Sequence, residues 1–222
     1  MLCRRWPAAE DLRHRIVAVC HVAGAALVLG STQRLETVSA SRCEQHGVGI
    51  ARRPAGGGAV TVAPQAQVWM DFWVPRGDPL WDDDVVLSTR WLGKLWVRAL
   101  GLLGVEGLQV HEGRSVETEW SGSVCFAGLG PGEVSVAGAK LVGICQRRTR
   151  AGARFFTMST LSWDPSVVVR LLCLDEGAEK RATSDLLCVA TGLSEVVGAR
   201  DRALEGRSVV EAVERQVLLS LP

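Results

Sequence analysis

The sequence predicts an α+β or mixed α/β domain, on three observations. Apolar runs of strand length fill most of the chain up to Leu161, the strongest being Val68–Val74. Helical spacing is clearest among them after Asp84, and dominates from Pro165 onward. Three consecutive glycines, Gly56 to Gly58, join two of the early strands in a tight turn. Strands followed by and interleaved with helices suit a layered fold in which helices bury a sheet face.

At 222 residues the chain is long enough for one domain with a substantial core. A net charge of +1 gives no electrostatic footprint for DNA or RNA. Seven cysteines at irregular spacing do not form a disulfide framework, which points to a reducing cytoplasm. The apolar run from Ile16 to Leu29 is broken by Cys20, His21 and Gly24. A membrane span needs ~20 apolar residues, so neither a span nor a secretory signal is expected.

Trp6-Pro7 followed by Ala8 and Glu10 reads as the start of a short helix. Ile16–Val22 and Ala25–Leu29 read as strands, the second ending in the polar turn Gly30-Ser31-Thr32-Gln33. Leu35–His46 reads as a helix and Gly47–Ala51 as a strand. Cys43 and His46 have no second ligand pair at zinc spacing, so no metal is expected. Val68, Met70, Phe72 and Val74 alternate with Trp69, Asp71 and Trp73, as in a strand covered on both faces. Asp71 then reads as a hydrogen-bonded structural carboxylate, or alternatively as a buried functional one. Asp82-Asp83-Asp84 is expected to open the clearest helix and Gly104 to stop it, with Leu92, Leu95, Trp96, Ala99 and Leu100 on one face. Short strands and loops follow to Gly122, then a strand over Glu133–Ala137, a turn at Gly138 and a strand over Leu141–Cys145. Arg147, Arg148 and Arg150 read as a basic turn before the strand Phe155–Leu161. Helices are expected over Pro165–Cys173, from a Ser184 cap through Val189, and from a capping box at Ser208.

Four stretches carry candidate chemistry. Arg52-Arg53-Pro54-Ala55-Gly56-Gly57-Gly58-Ala59-Val60 joins glycines that let a backbone lie close to a ligand with two planar cationic donors. It reads as an anion-holding turn, or alternatively as a glycine hairpin with solvated arginines. No Lys-Ser or Lys-Thr pair follows, so it is not a Walker loop. The turn before Gln33 offers amides and a carboxamide to a ligand, or is a plain polar turn. Cys125 precedes Gly128, Gly130, Pro131 and Gly132, so its thiol sits on a turning loop where a neighbouring charge can activate it, unless it is an inert packed thiol. Lys140, after the Gly138 turn, points into a pocket or lies solvated at an edge.

These stretches together resemble the lipoate–protein ligase A family, which includes the cysteine-dependent octanoyltransferases. The Arg52–Val60 segment looks like the family's Arg-Arg-x-x-Gly-Gly-Gly-Ala-Val signature, and Leu29–Gln33 fits its Val-Gly-x-x-Gln pattern. Gly138-Ala-Lys140-Leu-Val-Gly143-Ile-Cys-Gln146 is similar to its Gly-x-Lys-x-x-Gly-x-x-Gln segment, and the resemblance covers roughly residues 20–165. It implies a mixed sheet flanked by helices, shared with biotin ligases, and one catalytic domain over residues 1–222 without a C-terminal accessory domain. It implies that Gln33, Arg52, Arg53, Gly56, Gly57, Gly58, Ala59 and Gly143 line the substrate site and that Lys140 contacts the acyl group. Ser123-Val124-Cys125-Phe126, 15 residues before the motif lysine, resembles the octanoyltransferase segment whose cysteine carries octanoate as a thioester. The implied activity is transfer of an octanoyl or lipoyl group to a lysine of a lipoyl-carrier domain. Such carriers are the E2 subunits of 2-oxoacid dehydrogenases and the glycine cleavage H protein, with acyl carrier protein as a donor. The implied alternatives are an ATP- and Mg-dependent ligase forming lipoyl-AMP and a non-catalytic relative. The chain departs from its relatives at Thr61-Val62-Ala63, where many carry Tyr-His-Asp.

Overall fold

The computed structural model describes residues 13–197 and 207–222; the helix expected at Trp6-Pro7 lies outside them. The long strand β5 (Gln67–Pro75) is buried on both faces. It pairs antiparallel with β1 (Ile16–Val19) on one side and with β9 (Gly152–Thr160) on the other. β8 (Ala139–Arg148), β7 (Val134–Val136) and β6 (Leu108–Val110) complete a six-stranded antiparallel sheet in the order β1-β5-β9-β8-β7-β6. The mixed pairing lies in a smaller sheet. There β2 (Ala26–Leu29) runs parallel to β3 (Gly49–Arg52) and antiparallel to β4 (Val60–Val62).

One face of the large sheet is buried under α2 (Arg90–Leu102) and α6 (Arg207–Leu219). Val68, Met70, Phe72 and Val74 meet Leu92, Trp96 and Leu100 of α2 and Val213 and Val217 of α6 in one apolar cluster. Each fully buried side chain of that size contributes about 1.5–3 kcal/mol. The opposite face meets the small sheet, where Met158 and Trp69 pack with Val28, Val60, Val62 and Phe126. Leu27 and Leu29 turn the other way. They bury against α3 (Pro165–Val169), the Leu171-Leu172 segment and α4 (Glu176–Leu186). The large sheet is therefore sandwiched between a helical layer and the small sheet, and the motif loops sit at that second junction.

Several boundaries depart from the sequence expectation. The aspartates at 82–84 do not open α2. Asp82 accepts from the Asp84 amide at 2.8 Å, and Asp84 accepts from Val86 at 2.7 Å and Leu87 at 3.1 Å. Acidic side chains bonding nearby amides favour turns over helix, so the chain first makes a 3-10 turn at Leu87–Thr89. The C-terminal stop falls where expected. Gly104 has φ +82, its amide bonds Gly101 and that of Val105 bonds Leu100, a Schellman ending. The helix expected over Leu35–His46 splits into a 3-10 turn at Leu35–Thr37 and α1 (Ala40–Gln45). Val38 bridges to Leu172 between them, and Ser39 caps α1 by accepting from Arg42. Ser184 lies inside α4, whose cap is Asp175, accepting from Ala178 at 2.8 Å. Arg147 and Arg148 belong to β8 rather than to the turn. Asp71 is buried in mid-strand, where it accepts from Trp69 Nε1 at 3.0 Å and pairs with Arg154. It is the structural carboxylate of the first reading.

Candidate active site

The site is assembled at the C-terminal end of β2 and the start of β8. After Leu29 the backbone passes so close to the glycine loop that a Cβ on Gly30 would lie 1.9 Å from the Gly57 carbonyl. Gly58 is under the same constraint against the cysteine segment, where a Cβ would lie 2.4 Å from the Val124 carbonyl carbon. Two of the glycines thus serve backbone-to-backbone packing, because any side chain there would force the loops apart. Ala59 continues the contact. Its amide donates to Ser123 and its carbonyl accepts from Cys125, both at 2.8 Å.

The arginines face carbonyl oxygens. Arg52 Nη1 donates to Gly30 at 2.7 Å, Ser31 at 3.2 Å and Gln33 at 2.6 Å, which fixes the preceding turn. Arg53 is buried. Its Nη2 donates to Gly56 at 2.7 Å and Gly58 at 2.8 Å, its Nη1 donates to Val28 at 3.3 Å, and Nη2 lies 3.9 Å from Cys125 Sγ. Gln33 accepts from Gly30 at 2.9 Å and donates to Gly122 at 3.1 Å and Ser123 at 3.2 Å. Gln33 and Arg53, one from each loop, therefore close on the segment Gly122–Cys125.

Cys125 opens a 3-10 turn, Cys125–Ala127, and is half-buried. Lys140 reaches it from β8. A two-residue turn at Ala137 (φ +49) and Gly138 (φ +83) reverses the chain and sets Lys140 at the strand's start. Its ammonium is buried and donates to the carbonyls of Cys125 at 2.9 Å and Gly128 at 3.0 Å, and it pairs with Glu133 at 2.7 Å. Burial is the largest single influence and opposes its charge, but the Glu133 carboxylate together with the Cys125 and Cys145 thiols more than offsets it, so the amine is raised above its ordinary value. Gly143 lies beneath the pair, where a Cβ would sit 3.4 Å from Lys140 Cε. Glu133 also accepts from Gly130 at 2.6 Å and from Ile144 at 3.0 Å.

Sequence reasoning missed Glu133, since a lone acid between a Pro-Gly turn and a strand looks like a solvated charge. It also missed Cys145. Burial pushes that thiol up to about 12, with Arg53 pulling the other way. A thiol so raised is not a nucleophile near neutrality, which leaves Cys125 as the reactive candidate of the two.

Thr61, Val62 and Ala63 line a cavity of about 190 Å³ together with Phe126, Trp163 and Val168. Val124 and Phe126, which flank Cys125, also line it. The wall of this cavity is mostly apolar.

Fold and site together define an α+β domain in which two glycine-bearing loops and a strand lysine enclose a cysteine turn. Residues 9–217 match the family described as the lipoyl protein ligase A/B catalytic domain, and the chain belongs to that family. It is 27% identical over 125 residues to octanoyltransferase LipM of Clostridioides difficile (strain 630), a match spanning 56% of this chain and 45% of that protein. Its fold is similar to a structure from work on the bipartite lipoate protein ligase of Thermoplasma acidophilum and its E2 lipoyl domain. There the TM-score is 0.68 at 16% identity, covering 93% of this chain and 71% of the other. A lipoate-protein ligase A bound with ATP gives a TM-score of 0.65 at 17% identity, covering 93% and 72%. Among the described residues, no helix is long and apolar enough to cross a membrane.

Proposed function

We propose that this chain is an acyltransferase of lipoate metabolism that moves an octanoyl or lipoyl group to a lysine of a lipoyl-carrier domain through a Cys125 thioester. The observation that carries this reading is convergence. Gln33, Arg53, Ala59 and Lys140, drawn from three separate segments, all bond the segment that bears Cys125. Such fixing suits a nucleophile whose reaction depends on orientation to within about an ångström.

In the first step Cys125 sulfur attacks the acyl carbonyl of a donor thioester. The new C–S bond forms, the donor's C–S bond breaks, and the donor thiol takes the proton that Cys125 gave up. Negative charge on the Cys125 sulfur faces the Arg53 guanidinium. In the second step the neutral lysine amine of the carrier attacks the Cys125 thioester. A C–N bond forms, the C–S bond breaks, and the amine proton returns to the sulfur. One thioester exchange and one aminolysis of the resulting thioester carry the acyl group to the lysine, and neither needs adenylation.

Intact mass of the protein after incubation with octanoyl-acyl carrier protein tests the first step. A hydroxylamine-sensitive octanoyl adduct is expected on the wild type and not on Cys125→Ala. Wild type without an adduct overturns the mechanism for this donor. Lipoate, Mg and ATP with a lipoyl domain form the companion assay, and ATP-dependent modification there establishes the ligase alternative instead.

A further inference from the structure

We propose that Glu133 is a positioning residue, which through Lys140 presets the cysteine turn and keeps Lys140 a permanent cation rather than a proton carrier. This inference rests on the thioester reading of Cys125.

A lysine ammonium has three protons, and Lys140 meets three acceptors: Cys125 and Gly128 carbonyls and the Glu133 carboxylate. Two of those acceptors belong to the loop that carries the nucleophile, so the ammonium is a clasp on that loop. A buried ammonium holds its proton only beside a counter-charge, because desolvation disfavours the charged form. Glu133 is that counter-charge. Its own position is set by the amides of Gly130 and Ile144, one from the loop and one from β8. The carboxylate therefore joins loop, strand and lysine at one point.

The charged and titratable groups facing this point are few. Lys140 meets Glu133 from the residue just before β7, Cys125 from the turn, and Cys145 from β8, with Arg53 behind the two thiols. With Glu133 ionised, Lys140 stays protonated across the working range. Lys140 is then a fixed positive charge on the main-chain oxygens of Cys125 and Gly128, with all three of its protons engaged.

The test is the pH dependence of single-turnover acylation of Cys125 by a short-chain octanoyl thioester, read by intact mass. Alkylation of the same thiol by iodoacetamide runs beside it, and thermal melts confirm folding. In the wild type the acylation rate rises with pH and levels off. In Glu133→Gln the lysine loses its counter-charge and burial pulls its pKa down, so the profile acquires a falling limb. Glu133→Asp keeps the charge on a shorter arm; it is expected to keep the wild-type profile shape at about a tenth of the rate. This second variant keeps the idea testable should the neutral one fail to fold. A Glu133→Gln profile that superimposes on the wild type after scaling, or a falling limb in Glu133→Asp, overturns the proposal. If the wild type forms no adduct at all, the transferase reading fails. A Glu133→Gln change in the pH dependence of Cys125 alkylation would then still support the positioning role.

Discussion

The two faces of the large sheet are held by different physics. On the face toward α2 and α6, Phe72, Trp96, Leu100 and Val213 interlock as apolar volume. On the face toward the small sheet, the cysteine turn is held by side chains that reach in from elsewhere in the chain, as far as 90 residues away, to bond its main-chain oxygens and the Cys125 sulfur. Each such bond contributes only about 1 kcal/mol, so the second region matters less for stability than for the placement of atoms. Stability and reactivity should therefore separate when each region is altered in turn.

The largest stability effect is expected on the apolar side. Leu100→Ala removes a fully buried side chain of α2 and should cost about 2–5 kcal/mol in urea unfolding. The folded fraction should still acylate Cys125 at the wild-type rate, and a large rate loss there would mean the two regions are coupled. Gly58→Ala sharpens the contrast from the other side. Its Cβ would fall 2.4 Å from Val124 and 2.8 Å from the Cys125 amide. The loops must part, at about 1–3 kcal/mol, while the acylation rate should fall on the order of 100-fold because the thiol moves. A stability loss without a rate loss would show that the turn adapts.

The smallest effect belongs to Asp71, the buried carboxylate outside the site. Burial raises its pKa, against the pull of Arg154 and the bond from Trp69. A carboxyl raised in the folded state stabilises most below the unfolded value of about 3.9. That contribution is lost as pH rises through the folded value. The stability of the wild type relative to Asp71→Asn should therefore decline as pH is raised from about 4 to 7. Urea titrations at the two ends measure it, and a gap that widens with pH would contradict the assignment.

What could be read without coordinates follows the same division. The alternation of β5, the stripe of α2 and the Gly104 stop were legible because burial imposes a period and a glycine with positive φ imposes an ending. The start of α2 was not, since three carboxylates can cap a helix or bond their own turn with the same residues. In the site, residue types pointed to the loops, yet nothing local told which oxygens Arg52 and Arg53 would face. Glu133 escaped because its partner lies seven residues on, across a turn whose register only the folded hairpin defines.

The bonds around Cys125 have one more consequence. Arg53 reaches it across 72 residues, and Gln33 reaches Gly122 across 89. The site is thus a seam between an early and a late part of the chain. A polypeptide cut anywhere between Val60 and Gly122 leaves the arginines and glycines on one piece and the thiol, Glu133 and Lys140 on the other. Only their reassociation would recreate a reactive centre, so complementation between two such fragments would report directly on the seam.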